Sequence, residues 1–413
     1  MPKTLYPRHI EPRLKAALKD APVVLIHGPR QCGKTTLAQK AGKSARYEYL
    51  SMDDAETLAY AENDPVGFVN SLPEKVILDE IQKSPGIFSQ IKLAVDQNRV
   101  PGRFILTGSV SILHIRGLSD SLAGRMEIIR MHPLAQTELA RKKPDFLDAL
   151  FAAEFSTKWK TPQADFADKI VSGGYPAALN YSDKTRRIEW YRSYLTTIAN
   201  TDAFTISRIR SVEDLPKLLE LSAMSTARLL NTNKFAKSFQ ISRLTIQKYI
   251  SLLERLFLLE RIPAWHRNRR KQFVKASKLH LSDTGLACAL LETDADELKK
   301  DRELLGQLLE TFVLQELMRQ AEGHANRHQF FHYRDKDGVE TDIVIRRSIN
   351  SVAGVEVKAS ATVSHSDFRG LRRLRSAMGG AFHGGAVIYN GEKMLGFGEK
   401  LYAVPIQRLW MKI

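Results

Sequence analysis

Short apolar runs and stretches with helical spacing alternate along the first third of the chain. PVVLIHG, YEYLSMDD, KVILDE, RFILTGS and MEIIRMHPL are short, dense in apolar residues and bounded by polar or turn residues, which predicts strands. Helical segments separate them. That order predicts a parallel sheet with helices on both faces across residues 22–135. Residues 136–205 read as mostly helical, with a turn at Gly173-Gly174-Tyr175-Pro176. Residues 206–295 hold three helical stretches and then a strand–turn–strand with a strongly basic tip. Beyond residue 300, an amphipathic helix, LLGQLLETFVLQELMRQA, precedes the strands FFHYR, TDIVIRR and AGVEVKA. No internal repeat or low-complexity linker separates these stretches, so they are expected to pack closely.

Composition narrows the class. A chain of 413 residues, 43% hydrophobic and 26% charged, fits a soluble globular protein of several domains. No apolar run approaches the ~20 residues that cross a bilayer. The N-terminal MPKTLYPRHIEPRLKAALKD lacks the apolar stretch of a signal peptide. Two cysteines, Cys32 and Cys288, exclude a disulfide framework, and the expected location is the reducing cytoplasm with no membrane attachment. The formal charge of +16 favours a polyanionic partner, DNA before an acidic membrane surface, although a basic soluble protein without such a partner has the same charge.

The first predicted strand runs into GPRQCGKT, residues 28–35, which fits G-x-x-x-x-G-K-[ST] between a strand and the helical TTLAQKA. The loop from Gly28 through Pro29, Arg30, Gln31, Cys32, Gly33, Lys34, Thr35 and Thr36 is expected to wrap the phosphates of ATP with backbone N–H groups. Lys34 would reach the β- and γ-phosphates and Thr35 would ligate Mg2+, while Cys32 serves as a spacer. KVILDE supplies the matching carboxylates: Asp79 for the Mg2+ shell and Glu80 to orient and deprotonate the attacking water. RFILTGS is expected beside it, with Thr107 or Ser109 sensing the γ-phosphate through the same water. A site that binds nucleotide without splitting it is the alternative, and Glu80 argues against it. Arg125, in SLAGRMEI just before the last strand, is a candidate arginine finger acting across a homo-oligomer contact; a solvated surface arginine is the alternative.

GPRQCGKTTL, VILDEIQ, RFILTGS, SLAGR followed by HPL, and GGYPAAL resemble the uncharacterised AAA-type (AAA+) P-loop ATPases of bacteria and archaea that carry a C-terminal domain of unknown function. The resemblance extends through KLHLSDTGLA and GVEVKAS, over nearly the whole chain and in order. It implies an α/β fold: a P-loop AAA+-type parallel sheet over 1–135, a helical lid over 136–205, a winged helix over 206–297 and a PD-(D/E)XK nuclease-like α/β domain over 298–413. It also implies that Gly174 to Pro176 forms a nucleotide-sensing turn similar to that of STAND-type signalling ATPases. An ordinary helix-linking turn is the alternative.

FAKSFQISRLTIQKYISLLERLFLLERIPAW has helix–turn–helix spacing. Phe235, Ala236, Phe239, Ile246, Tyr249, Leu252 and Leu253 would face the core around a turn at Gln240-Ile241-Ser242. That leaves Ser242, Arg243, Thr245 and Lys248 outward, on the face such helices present to a DNA major groove. HRNRRKQF would join two strands as a basic tip, with Arg267, Arg269, Arg270 and Lys271 suited to phosphates. Winged helices also serve as protein-binding wedges and rigid lids.

In the last stretch, Glu310 lies mid-helix, Asp342 opens a strand, and Glu356 and Lys358 share one face of the next strand. Such acids, Asp342 and Glu356 with a backbone carbonyl, can hold a second Mg2+ or Mn2+, and the lysine can position a water. This pattern resembles the PD-(D/E)XK nuclease fold of Holliday-junction resolvases and restriction enzymes. Glu310 matches the helix glutamate, Asp342 the strand acid, and Glu356-Val357-Lys358 the E-x-K. Glu340-Thr341 stands where the family name has proline, a departure often met in that family. The domain is read either as a metal-dependent endonuclease or as a non-cleaving scaffold or DNA clamp. Two functions follow: a nucleotide-driven switch acting on DNA, or a STAND-like regulatory ATPase that binds a protein partner.

Overall fold

Five of the short apolar runs form parallel strands: β1 (Val23–His27), β2 (Glu48–Ser51), β3 (Val76–Asp79), β4 (Phe104–Gly108) and β5 (Met126–Arg130), in the order β2-β3-β4-β1-β5. In the computed structural model, residues 5–109, 122–158, 160–161, 163, 165–198, 214–266, 275–324 and 327–411 are described. Both faces of this sheet are covered, which is why β1 and β4 read as continuous apolar runs. Val23, Leu25, Phe104 and Leu106 pack against the helix Ile87–Gln97; Val24, Ile26 and Ile105 pack against the helices Glu11–Asp20 and Lys34–Lys43. Because the strands run the same way, the C-terminal ends of β1, β3 and β4 lie side by side, bringing Gly28, Asp79, Glu80 and Ser109 to one edge.

After five further helices between Gln136 and Thr197, the helices Asp214–Met224, Thr232–Phe239 and Arg243–Arg255 pack with a small antiparallel sheet. Its strands are β6 (Arg228–Leu229), β7 (Leu259–Ile262) and β8 (Lys278–Leu281), ordered β6-β8-β7. The expected turn is present: Gln240 takes a left-handed φ of 53°, and the Ser242 hydroxyl caps the next helix by accepting from the Thr245 N–H at 3.1 Å. Phe235, Ile246, Tyr249, Leu252 and Leu253 are buried as their spacing predicts.

The C-terminal stretch folds as a mixed six-stranded sheet, β13-β14-β12-β11-β10-β9. Here β9 (Gln329–Arg334), β10 (Glu340–Ser348) and β11 (Ser351–Lys358) form an antiparallel meander. The helix Arg369–Met378 leads to β12 (Phe382–Tyr389), parallel to both β11 and β14 (Leu401–Pro405), and β13 (Leu395–Gly396) closes the edge. The helix Arg302–Ala321 covers the opposite face, packed on β11. Its sequence reads as amphipathic, yet every residue from Leu308 to Leu317 is buried, since the small sheet and β11 enclose it. One apolar core runs from Phe146 to Trp410 through the helical stretch, the small sheet and one face of the six-stranded sheet. Among the described residues, no helix is long and apolar enough to cross a membrane.

Candidate nucleotide site and carboxylate cluster

The phosphate loop leaves β1 where space is scarce. A Cβ on Gly28 would lie 2.1 Å from the Met131 carbonyl oxygen, and Gly33 enters the helix Lys34–Lys43 at φ 99°, a conformation costly for other residues. The Lys34 ammonium is buried (4% exposed) and donates to the carbonyls of Gly28 at 3.1 Å and Pro29 at 2.9 Å. These partners are neutral. The Thr35 hydroxyl donates to Asp79 at 2.9 Å from Oδ1; Asp79 also accepts from the Thr107 hydroxyl and, at 2.9 Å, from Tyr49. Burial, then the bond to Asp79, pushes the Tyr49 hydroxyl up to about 12. Glu80 adopts a left-handed φ of 53°, a conformation that costs a residue with a side chain about 1–2 kcal/mol. Its N–H donates to the Thr107 hydroxyl at 3.2 Å. Its Oε2 accepts from Ser109 at 2.8 Å and from the Gln82 amide.

Sequence reasoning missed Tyr49, Gln82 and Arg8. Arg8 donates to the Cys32 carbonyl at 2.7 Å and to the His132 carbonyl, and pairs with Glu138. It therefore pins the phosphate loop to the segment after β5. Tyr49 could have been found from the register that sets Ser51 opposite Asp79; for Arg8 there is no local signal. Beside the loop, a cavity of about 170 Å³ is lined by Leu5, Tyr6, Cys32, Leu37, Leu134 and Pro176, among others. The turn that holds Pro176 is anchored at Gly174, whose N–H donates to Asp283 at 2.8 Å and whose carbonyl accepts from Leu134 at 2.7 Å. Arg125 lies at the N-terminal end of β5, the opposite edge of the sheet, and donates to Asp96 at 2.9 Å. It does not reach the loop of its own chain.

The residues fit a Mg2+-bound triphosphate: a curled loop, a lysine held only by carbonyls, and a hydroxyl–carboxylate pair at the strand edge. Comparison with known proteins agrees. Residues 20–140 match the family model described as an AAA domain, and residues 305–409 match a "Domain of unknown function (DUF4143)". The chain combines an AAA domain with a C-terminal domain of unknown function, and so resembles the AAA-type P-loop ATPases that carry one. Residues 163–297 of this ATPase match a further "Domain of unknown function (DUF8612)". Two uncharacterized proteins, from Mycobacterium bovis and Mycobacterium tuberculosis, are each 27% identical to it over 402 residues, covering 96% of this chain and 83% of theirs. Among solved structures, a Walker-type ATPase of Pyrococcus abyssi is 15% identical with a TM-score of 0.45, covering 70% of this chain and 97% of that one. The RuvB Holliday junction branch migration motor of Thermotoga maritima is 21% identical with a TM-score of 0.31, covering 62% and 89%.

The C-terminal domain of this ATPase brings Glu310, Asp342, Glu356 and Lys358 together as expected, and adds a residue that was not. Lys278 of β8, 5% exposed, donates to Glu310 Oε1 at 2.7 Å and lies 3.5 Å from Asp342 Oδ1. Asp342 Oδ2 accepts from the Val357 N–H at 2.9 Å, and Lys358 pairs with Glu356 Oε1 at 3.2 Å. Burial, reinforced by Asp342, pushes Glu310 up to about 8 and raises Glu356 as well. Burial opposes the charge of Lys278, but Glu310 and Asp342 outweigh it and raise its pKa. The expectation that Asp342 and Glu356 hold a second Mg2+ or Mn2+ is not met by this arrangement. Two ammonium groups already occupy the carboxylates, and no group of three or more His, Cys, Asp or Glu among the described residues is disposed to hold a metal ion. The strand KLHL alternates polar and apolar residues, so Lys278 and His280 read as a solvent-facing side, yet all four residues are buried.

On the helix Arg243–Arg255, Arg243 and Lys248 are exposed, with Leu244 (62% exposed) between them. Thr245 is half-buried and engaged with the Ser242 cap. Arg267, Arg269, Arg270 and Lys271 lie outside the described residues.

Proposed function

We propose that this ATPase splits ATP with Lys34, Thr35, Asp79 and Glu80, and that the turnover drives a switch acting on DNA. The carrying observation is the Glu80 carboxylate, held beside Asp79 by Ser109 and Gln82. On this reading Lys34 exchanges its two carbonyls for the β- and γ-phosphates. Glu80 takes the proton of the attacking water, and Ser109 aims its carboxylate. Mg2+, held by Thr35 and Asp79, supplies charge neutralisation at the phosphates when bound. The cavity lined by Tyr6, Leu37 and Pro176 takes the nucleoside. Steady-state ATP hydrolysis tests this: Lys34→Ala should abolish turnover in a folded protein, and retained hydrolysis would overturn the site.

DNA is the favoured partner because the chain carries +16 and an exposed Arg243–Lys248 face on the second helix of a winged-helix-like arrangement. Affinity for duplex DNA should fall steeply with salt; salt-independent binding would contradict this reading. The Lys278 contacts favour a second reading for the C-terminal domain alone, a nuclease-like module that does not cut in this arrangement. Cleavage lost in Asp342→Ala would overturn it. If subunits associate, Arg125 acts across the contact only after leaving Asp96.

A further inference from the structure

We propose that Lys278 is the resident cation of the C-terminal carboxylate cluster, a built-in plug that keeps a divalent metal out while β8 is docked. Three observations carry this. The Lys278 ammonium is nine-tenths buried, and its bonds go to Glu310 and Asp342, which come from a helix and a strand of a different part of the fold. Glu356 is 8% exposed and its Oε2 is buried without a hydrogen-bond partner, so the cluster keeps an acceptor that Lys358 does not satisfy. Lys278 is also held in register. Along the helix Arg302–Ala321, β8 and the residues after it dock in sequence: Lys278 on Glu310, His280 on Thr311 at 3.0 Å, the Leu281 carbonyl on Gln315 at 3.1 Å, and Asp283 on Arg319 at 2.9 Å. This row fixes the position of the backbone that bears Lys278, so a shift of β8 along the helix would withdraw the plug.

A lysine is suited to this task. A compact ammonium offers up to three N–H donors to converging carboxylate oxygens and neutralises them where a metal would. Removing it while keeping the acids leaves Glu310, Asp342 and Glu356 in a buried space without their cation, and a divalent ion is the small species that restores the balance. The row ends at Asp283, which also binds the Gly174 N–H, so the strand bearing the plug is tied to the turn beside the nucleotide cavity. None of the three observations depends on ATP being hydrolysed.

The test is Mn2+ binding to the full chain without nucleotide, followed by the electron paramagnetic resonance signal of free Mn2+. Wild type and Asp342→Asn should bind equally, because the cluster of the wild type takes none. Lys278→Met should gain one further Mn2+ per chain, tighter by about ten-fold or more than any wild-type binding, and Asp342→Asn in the same chain should remove it. Should Lys278→Met fail to fold, Lys278→Met with Glu310→Gln removes both charges of the main pair and should still gain Mn2+ that Asp342→Asn abolishes. Wild-type binding that Asp342→Asn abolishes would overturn the proposal. So would the absence of any gain in the folded variants.

Discussion

Two lysines, Lys34 and Lys278, are almost equally buried, at 4% and 5% exposure, and their partners set them apart. Lys34 rests on two loop carbonyls, neutral acceptors that phosphate oxygens can replace. Lys278 is wedged between two carboxylates from a helix and a strand. A buried cation with neutral partners is poised to receive an anion; one with charged partners has already received it. The difference teaches that one region is built for exchange and the other is closed, although both carry acids and a lysine.

Stability measurements can break or sharpen this contrast. Lys278→Met should cost about 3–5 kcal/mol in chemical denaturation, the usual penalty for leaving buried carboxylates unpaired, and Lys278→Met with Glu310→Gln should recover much of it. Acidification comes next. Burial, then Arg130, lowers His27 to about 3; burial, reinforced by Lys278, lowers His332 to about 4 and depresses His280 too. Each is neutral when folded but takes a proton near the ordinary histidine value of 6.5 when unfolded. Stability is therefore full above that value and is lost as the pH falls from 6.5 toward 4 for His332 and toward 3 for His27, by about 1 kcal/mol for each of these two at pH 5.5. A flat profile would contradict their burial as neutral rings. Lys34→Met should cost less, about 1–3 kcal/mol, since two carbonyls lose a charged donor but no buried charge is left unpaired; a penalty as large as that at Lys278 would erase the contrast. The smallest effect belongs to the DNA face. Arg243→Ala and Lys248→Ala should each lower the salt slope of DNA binding by about one, with a few-fold loss of affinity.

Much of the nucleotide site was legible because its parts are local in sequence. Gly28 to Thr35 is one loop, Asp79 and Glu80 end one apolar run, and Ser109 ends the next. Continuous apolar strands joined by long crossovers then leave little choice but to set those ends together. The closed cluster was half legible. Glu310, Asp342, Glu356 and Lys358 do converge, but Lys278 arrives from 32 positions before Glu310 and 64 before Asp342, a pairing no local pattern announces. Arg8 escaped for the same reason, reaching Glu138 across 130 positions. The helix Arg302–Ala321 was misread as amphipathic because its buried polar residues, Glu310, Gln315 and Glu316, look solvent-facing until β8 and the segment after β5 cover them.

The central claim, that the Lys34 region exchanges phosphates and splits them, is tested most directly by a single turnover of ATP labelled at its γ-phosphate. Wild type should release labelled phosphate, while Glu80→Gln should bind the nucleotide and retain it unsplit, slower by about 100-fold or more. Release by Glu80→Gln at the wild-type rate would contradict the account.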